Sequence, residues 1–171
     1  MGNSGRAKLV KVEVSLPFVK GTWVADRDQQ QAAWEMYVEL VTRITTQELG
    51  PSDGFLREAL ASLHSLFAET RRILKEHGPG VASSQADTRS FAEIAVVILN
   101  RHVRPVLAEW HPKLEAHESK CPPGMSKAEH EKTWEGDKPL RKELDELRKV
   151  LTTYGELLAQ ACEVDSLHRK N

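Results

Sequence analysis

Cysteine, net charge and long apolar runs are all scarce in this sequence, and each scarcity excludes a class of protein. The 171 residues include only two cysteines, Cys121 and Cys162, far apart and without metal-finger spacing; we therefore expect free thiols in a reducing compartment. The formal net charge of −1 gives no overall field to attract nucleic acid or an anionic membrane. No apolar run approaches the roughly 20 residues of a membrane helix. We expect a cytoplasmic protein with no membrane partner.

The remaining composition is that of an ordinary globular domain. Hydrophobic residues make up 40% of the chain and charged residues 29%, proportions that exclude a disordered protein. The first residues lack the apolar segment of a signal peptide. The length suits one domain, which we divide into an N-terminal tail and β-ribbon over residues 1–25, a helical bundle over 26–165 and a C-terminal tail over 166–171.

An alternation of apolar and polar residues marks the start of the chain. Val10, Val12, Val14 and Leu16 recur with a period of two, which predicts a half-buried strand. A short return strand over residues 22–24 would complete a two-stranded ribbon, which we interpret as an appendage to the helices. Its unpaired edge predicts a homodimer through the N-terminal strand.

Four later segments have helical periodicity. In the first, Asp26 is a candidate N-cap and one stripe is formed by Trp34, Tyr37, Val38, Val41 and Ile44. Ser52 or Asp53 would cap the second, which ends at the Gly-Pro-Gly of residues 78–80. The last carries a heptad seam, more typical of a bundle helix than of a free coiled coil, at Leu140, Leu144, Leu147, Leu151, Tyr154, Leu158 and Ala161. We therefore predict an all-α fold, an up-down four-helix bundle with a short N-terminal β-strand or ribbon.

The third helical segment, over residues 91–114, organises the others. Its first half is apolar on every side, as expected of a helix enclosed by neighbours. Pro105 and Pro112 follow, and we expect a kink near Pro105 and an end near Trp110. The preceding residues 81–89 predict a polar loop.

A polar column borders the apolar stripe of this helix. At 100° per residue, Asn100, Arg104, His111 and Glu115 fall within about 60° of one another, beside Trp110. One interpretation is a structural clamp in which a buried Arg104 pairs with a carboxylate of a neighbouring helix. The other is a functional site with Arg104 and His111 as catalytic residues and Asn100, Trp110 and Glu115 as binding residues.

The spacing of Arg104 and His111 resembles the R-x4-6-H signature of HEPN ribonucleases, which are helical and often dimeric. The resemblance implies that His111 acts as acid and base and that Arg104 binds the scissile phosphate. This sequence departs from the pattern at Pro105, where a polar residue is usual. The segments over residues 62–74 and 104–112 are also similar to an uncharacterised group of small bacterial helical proteins.

Other chemistry has little support. Seven histidines are present, but no Glu-x-x-His or H-E-x-x-H spacing occurs, which leaves only a site assembled across helices from His64 and His111. We expect no cofactor and no dedicated metal site. The sequence favours a non-enzymatic protein–protein interaction module of a bacterial cytoplasmic protein, with another protein or a second copy as partner. The alternative is a HEPN-like, metal-independent ribonuclease that uses Arg104 and His111; nucleic acid is a partner only in that case.

Overall fold

A computed structural model describes residues 8–43, 46, 50 and 53–167. Its strands are β1 (Val10–Leu16), β2 (Val19–Ala25) and β3 (Thr88–Arg89). Its α-helices are α1 (Arg27–Val41), α2 (Leu56–His77), α3 (Phe91–Ile98), α4 (Arg104–Glu118), α5 (Lys127–Lys132) and α6 (Asp137–Ala161). A 3-10 turn (Gly78–Ala82) follows α2, and a π turn (Leu99–Val103) joins α3 to α4.

The strands form one sheet in the order β1-β2-β3. β1 and β2 are an antiparallel hairpin that pairs Val10 with Ala25 and Leu16 with Val19, and β3 runs parallel to β2. Gly21 has a φ of +132°, and a Cβ there would come within 3.3 Å of the Arg89 Nε. That close approach lets Arg89 donate to the carbonyl of Lys20 at 2.8 Å, which fastens β3 to the hairpin.

The predicted all-α four-helix bundle is wrong. Helices make up 67% of the structure, yet within the described residues five helices (α3 and α4 counting as one) pack with a three-stranded sheet. Nor is the hairpin an appendage, because its inner face lies in the core with six buried residues, at 3% exposure or less: Val12, Val14, Leu16, Val19, Trp23 and Ala25. The period-two pattern predicted the strand correctly, but the sheet belongs to the same core as the helices.

Local signals placed most helix ends correctly. The Asp26 side chain accepts from the backbone N–H of Gln29 at the start of α1, and Ser90 accepts from Glu93 at the start of α3. Ser126 and Glu129 form a capping box at the start of α5, and α2 ends at His77 before the glycines. The predictions for Ile44 and for Ser52 as a cap lie outside the described residues. The alternative cap, Asp53, is wrong, because α2 begins at Leu56 with Phe55 in the N-cap position.

The proline-rich helix does not end near Trp110 as predicted. The π turn over Leu99–Val103 stands immediately before Pro105, and α4 continues through Pro112 to Glu118. A π turn widens the helix by one residue, which makes room where the ring of Pro105 would otherwise meet the carbonyl of Arg101. The helix therefore keeps Arg104 and His111 on one continuous surface.

The heptad seam of α6 is confirmed as the core face of a helix. All seven predicted seam residues are buried, at 9% exposure or less. α6 packs on α1 and on β1, so it covers the hairpin and the first helix together. No helix among the described residues has the length and apolar character needed to cross a membrane.

Candidate functional site

A cleft of about 390 Å³ lies between α2 and α4, and we call it the basic cleft. Its walls are His64, Phe67 and Arg71 from α2 and Arg104, Leu107, Ala108 and His111 from α4. The rings of His64 and His111 have their centroids 6.0 Å apart, while the Arg104 guanidinium lies 5.1 Å from the Phe67 ring centroid. These contacts run in opposite directions along the two helices, so α2 and α4 are antiparallel here.

Arg104 is held in place by neutral groups. Its Nε and Nη2 donate to the Oδ1 of Asn100 at 3.1 and 2.9 Å, as the i,i+4 spacing on one helix face allows. The structure therefore brings Asn100, Arg104 and His111 together. The clamp interpretation is wrong, because Arg104 is exposed and pairs with no carboxylate within the described part of the chain.

His111 is partly buried and incompletely satisfied. Among the described residues, no hydrogen-bond partner is in reach of its buried Nε2. Burial lowers the pKa of His111, and the positive charge of Arg57 and the neighbouring His64 lower it further. A neutral imidazole has one donor nitrogen and one acceptor nitrogen, and at His111 the buried Nε2 is left without a partner among the described residues.

Two residues of the predicted site lie elsewhere. Trp110 is 6% exposed; its Nε1 donates to the Oε2 of Glu143 at 2.8 Å, and its ring meets Trp134 edge to face at 5.8 Å. Glu115 lines a neighbouring cavity of about 820 Å³ rather than the basic cleft. The predicted column is thus divided between two cavities, and Trp110 packs between α4 and α6.

Sequence reasoning missed a second surface, on α1. Trp34 is 45% exposed and Val38 is 38% exposed, although both were predicted to lie in the core stripe with Tyr37. Trp34 and Val164 line one groove of about 720 Å³. The backbone N–H of Leu167 donates to the Tyr37 hydroxyl, which brings Leu167 close to α1. We call these four exposed apolar residues, Trp34, Val38, Val164 and Leu167, the Trp34 surface.

Charged groups of both signs border the Trp34 surface. Arg27, Glu35, Glu76 and His77 also line the groove. Burial alone would raise the pKa of Glu35, but its hydrogen bonds with His77 and Arg72 outweigh burial and hold the pKa below its usual value. The His77 Nε2 lies 2.7 Å from the Glu35 Oε1 and the Arg72 Nη1 lies 3.0 Å from Oε2, so α1 and α2 are fastened together beside the groove.

Metal and nucleophile chemistry receive no support from the geometry. Within residues 8–43, 46, 50 and 53–167, no group of three or more His, Cys, Asp or Glu side chains is arranged to hold a metal ion. Both cysteines are free. Burial raises the pKa of Cys162 to about 11, so this thiol stays protonated at neutral pH and is a poor nucleophile.

Comparisons with family models, curated proteins and solved structures find no match to this chain. The resemblances noted on residues 62–74 and 104–112, and the HEPN spacing, therefore stay predictions. Function has to be inferred from the two surfaces themselves.

Proposed function

We propose that the chain is a non-enzymatic protein–protein interaction module of a bacterial cytoplasmic protein, and that the Trp34 surface docks an amphipathic helix of a partner protein. The observation that carries the proposal is the 45% exposure of Trp34 within a groove. Single exposed apolar residues are ordinary, but a cluster around a tryptophan is typical of an interface. Tryptophan is among the residues most enriched at interface hot spots.

The shape and the charges of the surface favour a helical partner segment. Trp34 from α1 and Val164 from the segment after α6 both line the groove, and such apolar lining suits a helix with one apolar stripe. Arg27, Glu35 and Glu76 also line the groove and would pair with charges that flank such a stripe. An apolar centre with a polar rim is the usual anatomy of a protein interface.

A peptide selection tests this function. A displayed library of amphipathic helices would be selected on the wild-type protein, and the affinity of selected peptides measured by fluorescence anisotropy. We expect Trp34→Ser to weaken binding by about 30-fold or more, since a hot-spot aromatic contributes about 2 kcal/mol or more. Thermal melts should show that the variant is folded, because the side chain is half exposed.

Phe18→Ser is the matched control. Phe18 is 70% exposed at the turn between β1 and β2 and does not line the groove, so its loss should leave peptide binding unchanged. Peptides that bind both variants equally well, or that lose binding only with Phe18→Ser, would contradict the Trp34 surface as the docking site.

Self-association through β1 is our second proposal for the partner. Among the described strands β1 pairs only with β2, so its outer edge is open to a second copy. Antiparallel pairing of two copies about Val12 would set Lys11 of each copy opposite Glu13 of the other, which is self-complementary. Sedimentation equilibrium tests this pairing. A dimer that persists in Trp34→Ser supports it, and a monomer at every concentration contradicts it.

A second candidate function, phosphodiester cleavage, is favoured by one observation. Arg104 and His111, the two residues that the HEPN spacing implies, line the same cleft. In this account Arg104 binds a phosphate of single-stranded RNA and His111, which has a lowered pKa, takes and returns a proton as acid and base.

Incubation with single-stranded RNA and no added metal tests the candidate. Wild-type protein at micromolar concentration should cleave the RNA, and His111→Ala and Arg104→Ala, purified in parallel as controls for contaminating nuclease, should not. Equal cleavage by all three preparations, or none by the wild type, removes this function and leaves the interaction module.

A further inference from the structure

Positive charge in the basic cleft is not neutralised by any carboxylate among the described residues. Elsewhere in the described chain six arginines pair with a carboxylate, namely Arg43, Arg57, Arg72, Arg89, Arg141 and Arg148. Arg71 and Arg104 do not, and no carboxylate lines the cleft that holds them. Among the ten arginines that the structure describes, Arg27 and Arg101 also lack a carboxylate partner, but only Arg71 and Arg104 share a cleft.

The two arginines lie at the same end of the cleft. His64 meets His111 across the antiparallel helices; Arg71 is seven residues after His64 on α2, and Arg104 is seven residues before His111 on α4. Seven residues advance a helix by about 10.5 Å. One end of the cleft therefore carries two guanidinium groups, and the other end, about 10 Å away, carries two imidazoles.

Arg104 is positioned in advance for a ligand. Its Nε and Nη2 donate hydrogen bonds to the Asn100 Oδ1. The guanidinium also lies over the Phe67 ring. The Nη1 donors remain for another acceptor. An arginine fixed by neutral groups keeps its full charge and loses less side-chain entropy when a ligand binds.

We infer that the basic cleft binds a phosphate group between Arg71 and Arg104, with His64 and His111 facing the rest of the phosphate-bearing molecule. Two planar guanidinium groups suit the several acceptor oxygens of a phosphate. The imidazoles of His64 and His111 line the far end of the cleft, and Phe67, Leu107 and Ala108 provide an apolar wall. A volume of about 390 Å³ is in the range of small-ligand sites.

Binding does not require cleavage. Neither the guanidinium pair nor the apolar wall performs a chemical step, so the inference stands if the protein cleaves no RNA. It also stands apart from the proposed interaction module, because the cleft is formed by α2 and α4 and shares no lining residue with the groove beside Trp34.

Isothermal titration calorimetry at low ionic strength tests the inference with three probes: inorganic phosphate, a nucleoside 5′-monophosphate, and a single-stranded oligodeoxynucleotide, which lacks the 2′-hydroxyl of RNA. The tightest probe identifies the source of the phosphate. We expect Arg71→Gln and Arg104→Gln each to weaken the binding of that probe about tenfold or more, because each variant loses a charge-assisted hydrogen bond. Both side chains are exposed, so both variants should fold.

Arg148→Gln is the matched control, since Arg148 pairs with Asp145 on α6 and should not affect binding. Titration with a poly-glutamate peptide tests the competing hypothesis that the cleft binds an acidic peptide rather than a phosphate. The inference is overturned if none of the three phosphate probes binds, if Arg71→Gln and Arg104→Gln bind as the wild type does, or if the acidic peptide binds more tightly than every phosphate probe.

Discussion

At the scale of single residues, Gln29 joins three parts of the core through one buried amide. Its Oε1 accepts from the indole Nε1 of Trp23 at 2.7 Å and from the backbone N–H of Phe91 at 2.9 Å, and its Nε2 donates to the carbonyl of Ser83 at 3.2 Å. It is 2% exposed. Sequence periodicity could not single it out, because a glutamine among three consecutive glutamines gives no signal of burial.

Replacing Gln29 should therefore destabilise the protein strongly. Gln29→Ala leaves the N–H groups of Trp23 and Phe91 buried without an acceptor, at a cost of about 1–3 kcal/mol each. Gln31→Ala, an exposed change on the same helix, should alter the free energy of unfolding by less than about 0.5 kcal/mol. Urea denaturation measures the free energy of unfolding of both variants. If Gln29→Ala were as stable as the wild type, water would have to replace the lost acceptor.

Trp110 offers a second test at this scale. Because the ring is 6% exposed and contacts Trp134, Trp110→Ala should lower the free energy of unfolding by about 3–5 kcal/mol. Trp110→Phe keeps most of the packing but loses the hydrogen bond to Glu143. The loss of that bond should lower the free energy of unfolding by about 1 kcal/mol. A Trp110→Ala protein with the wild-type denaturation midpoint would show that the side chain is not part of the core.

At the scale of elements, the hairpin should be indispensable. Val12, Val14, Leu16, Val19 and Trp23 each contribute about 1.5–3 kcal/mol by burial, and their sum is comparable with the roughly 5–15 kcal/mol stability of a domain. Deleting residues 1–24 should abolish the cooperative thermal transition seen by circular dichroism. A truncated protein that melts cooperatively within a few degrees of the full chain would mean that the helices fold as an independent bundle.

Helix ends could be predicted from the sequence because caps and glycines act locally. Asp26, Ser90 and Ser126 each bond to a backbone N–H three residues away, an interaction that a short window of sequence contains. The strand β3 could not be predicted, since two residues have no period and their partner strand lies more than sixty residues earlier. The π turn was missed for a similar reason: its benefit depends on the helices that enclose it.

The buried face of α1 shows where periodicity fails. The helix buries Ala32, Ala33, Met36, Tyr37 and Leu40, while Trp34 and Val38 face outward. Both stripes have helical spacing, and the outward one contains the tryptophan, whereas the buried one begins with two alanines. Because alanine is only weakly hydrophobic, the alanines on the buried face did not mark it as the core face. The surface that we now propose as functional was therefore assigned to the core.

The candidate site was predictable along one helix and not between helices. Helical geometry alone places Asn100, Arg104 and His111 on one side of α4. The contributions of His64 and Arg71 depend on how α2 packs against α4, which no spacing in the sequence reports. Trp110 was assigned to the site for its proximity in sequence, whereas packing turns it toward α6.

At the scale of the whole molecule, the stability should depend on pH in two windows. Burial lowers the pKa of His111 and of His130, the latter also through the stacked His117. Both imidazoles are therefore more easily protonated in the unfolded chain, and the free energy of unfolding should fall as the pH drops through about 6.5. Glu35 and Asp145 have lowered pKa values, so their contribution should be lost on acidification below about pH 4.5.

Urea titrations at pH 8, 7, 6 and 5 measure the first window. His130→Gln removes one of the two shifted imidazoles and should flatten the decline between pH 7 and 5, whatever its effect on stability at pH 8. A wild-type stability that rises from pH 7 to pH 5 would reverse the sign and contradict the assignment of these histidines as neutral.

The indole N–H signals of the four tryptophans give the most direct test of the Trp34 surface as the docking site. Trp23 and Trp110 donate to Gln29 and Glu143 inside the protein, whereas Trp34 is 45% exposed. In a ¹⁵N-resolved spectrum, with the Trp34 signal identified by its absence in Trp34→Phe, a selected helical peptide should shift that signal far more than those of Trp23 and Trp110. A saturating peptide that leaves the Trp34 signal in place would contradict the proposed function.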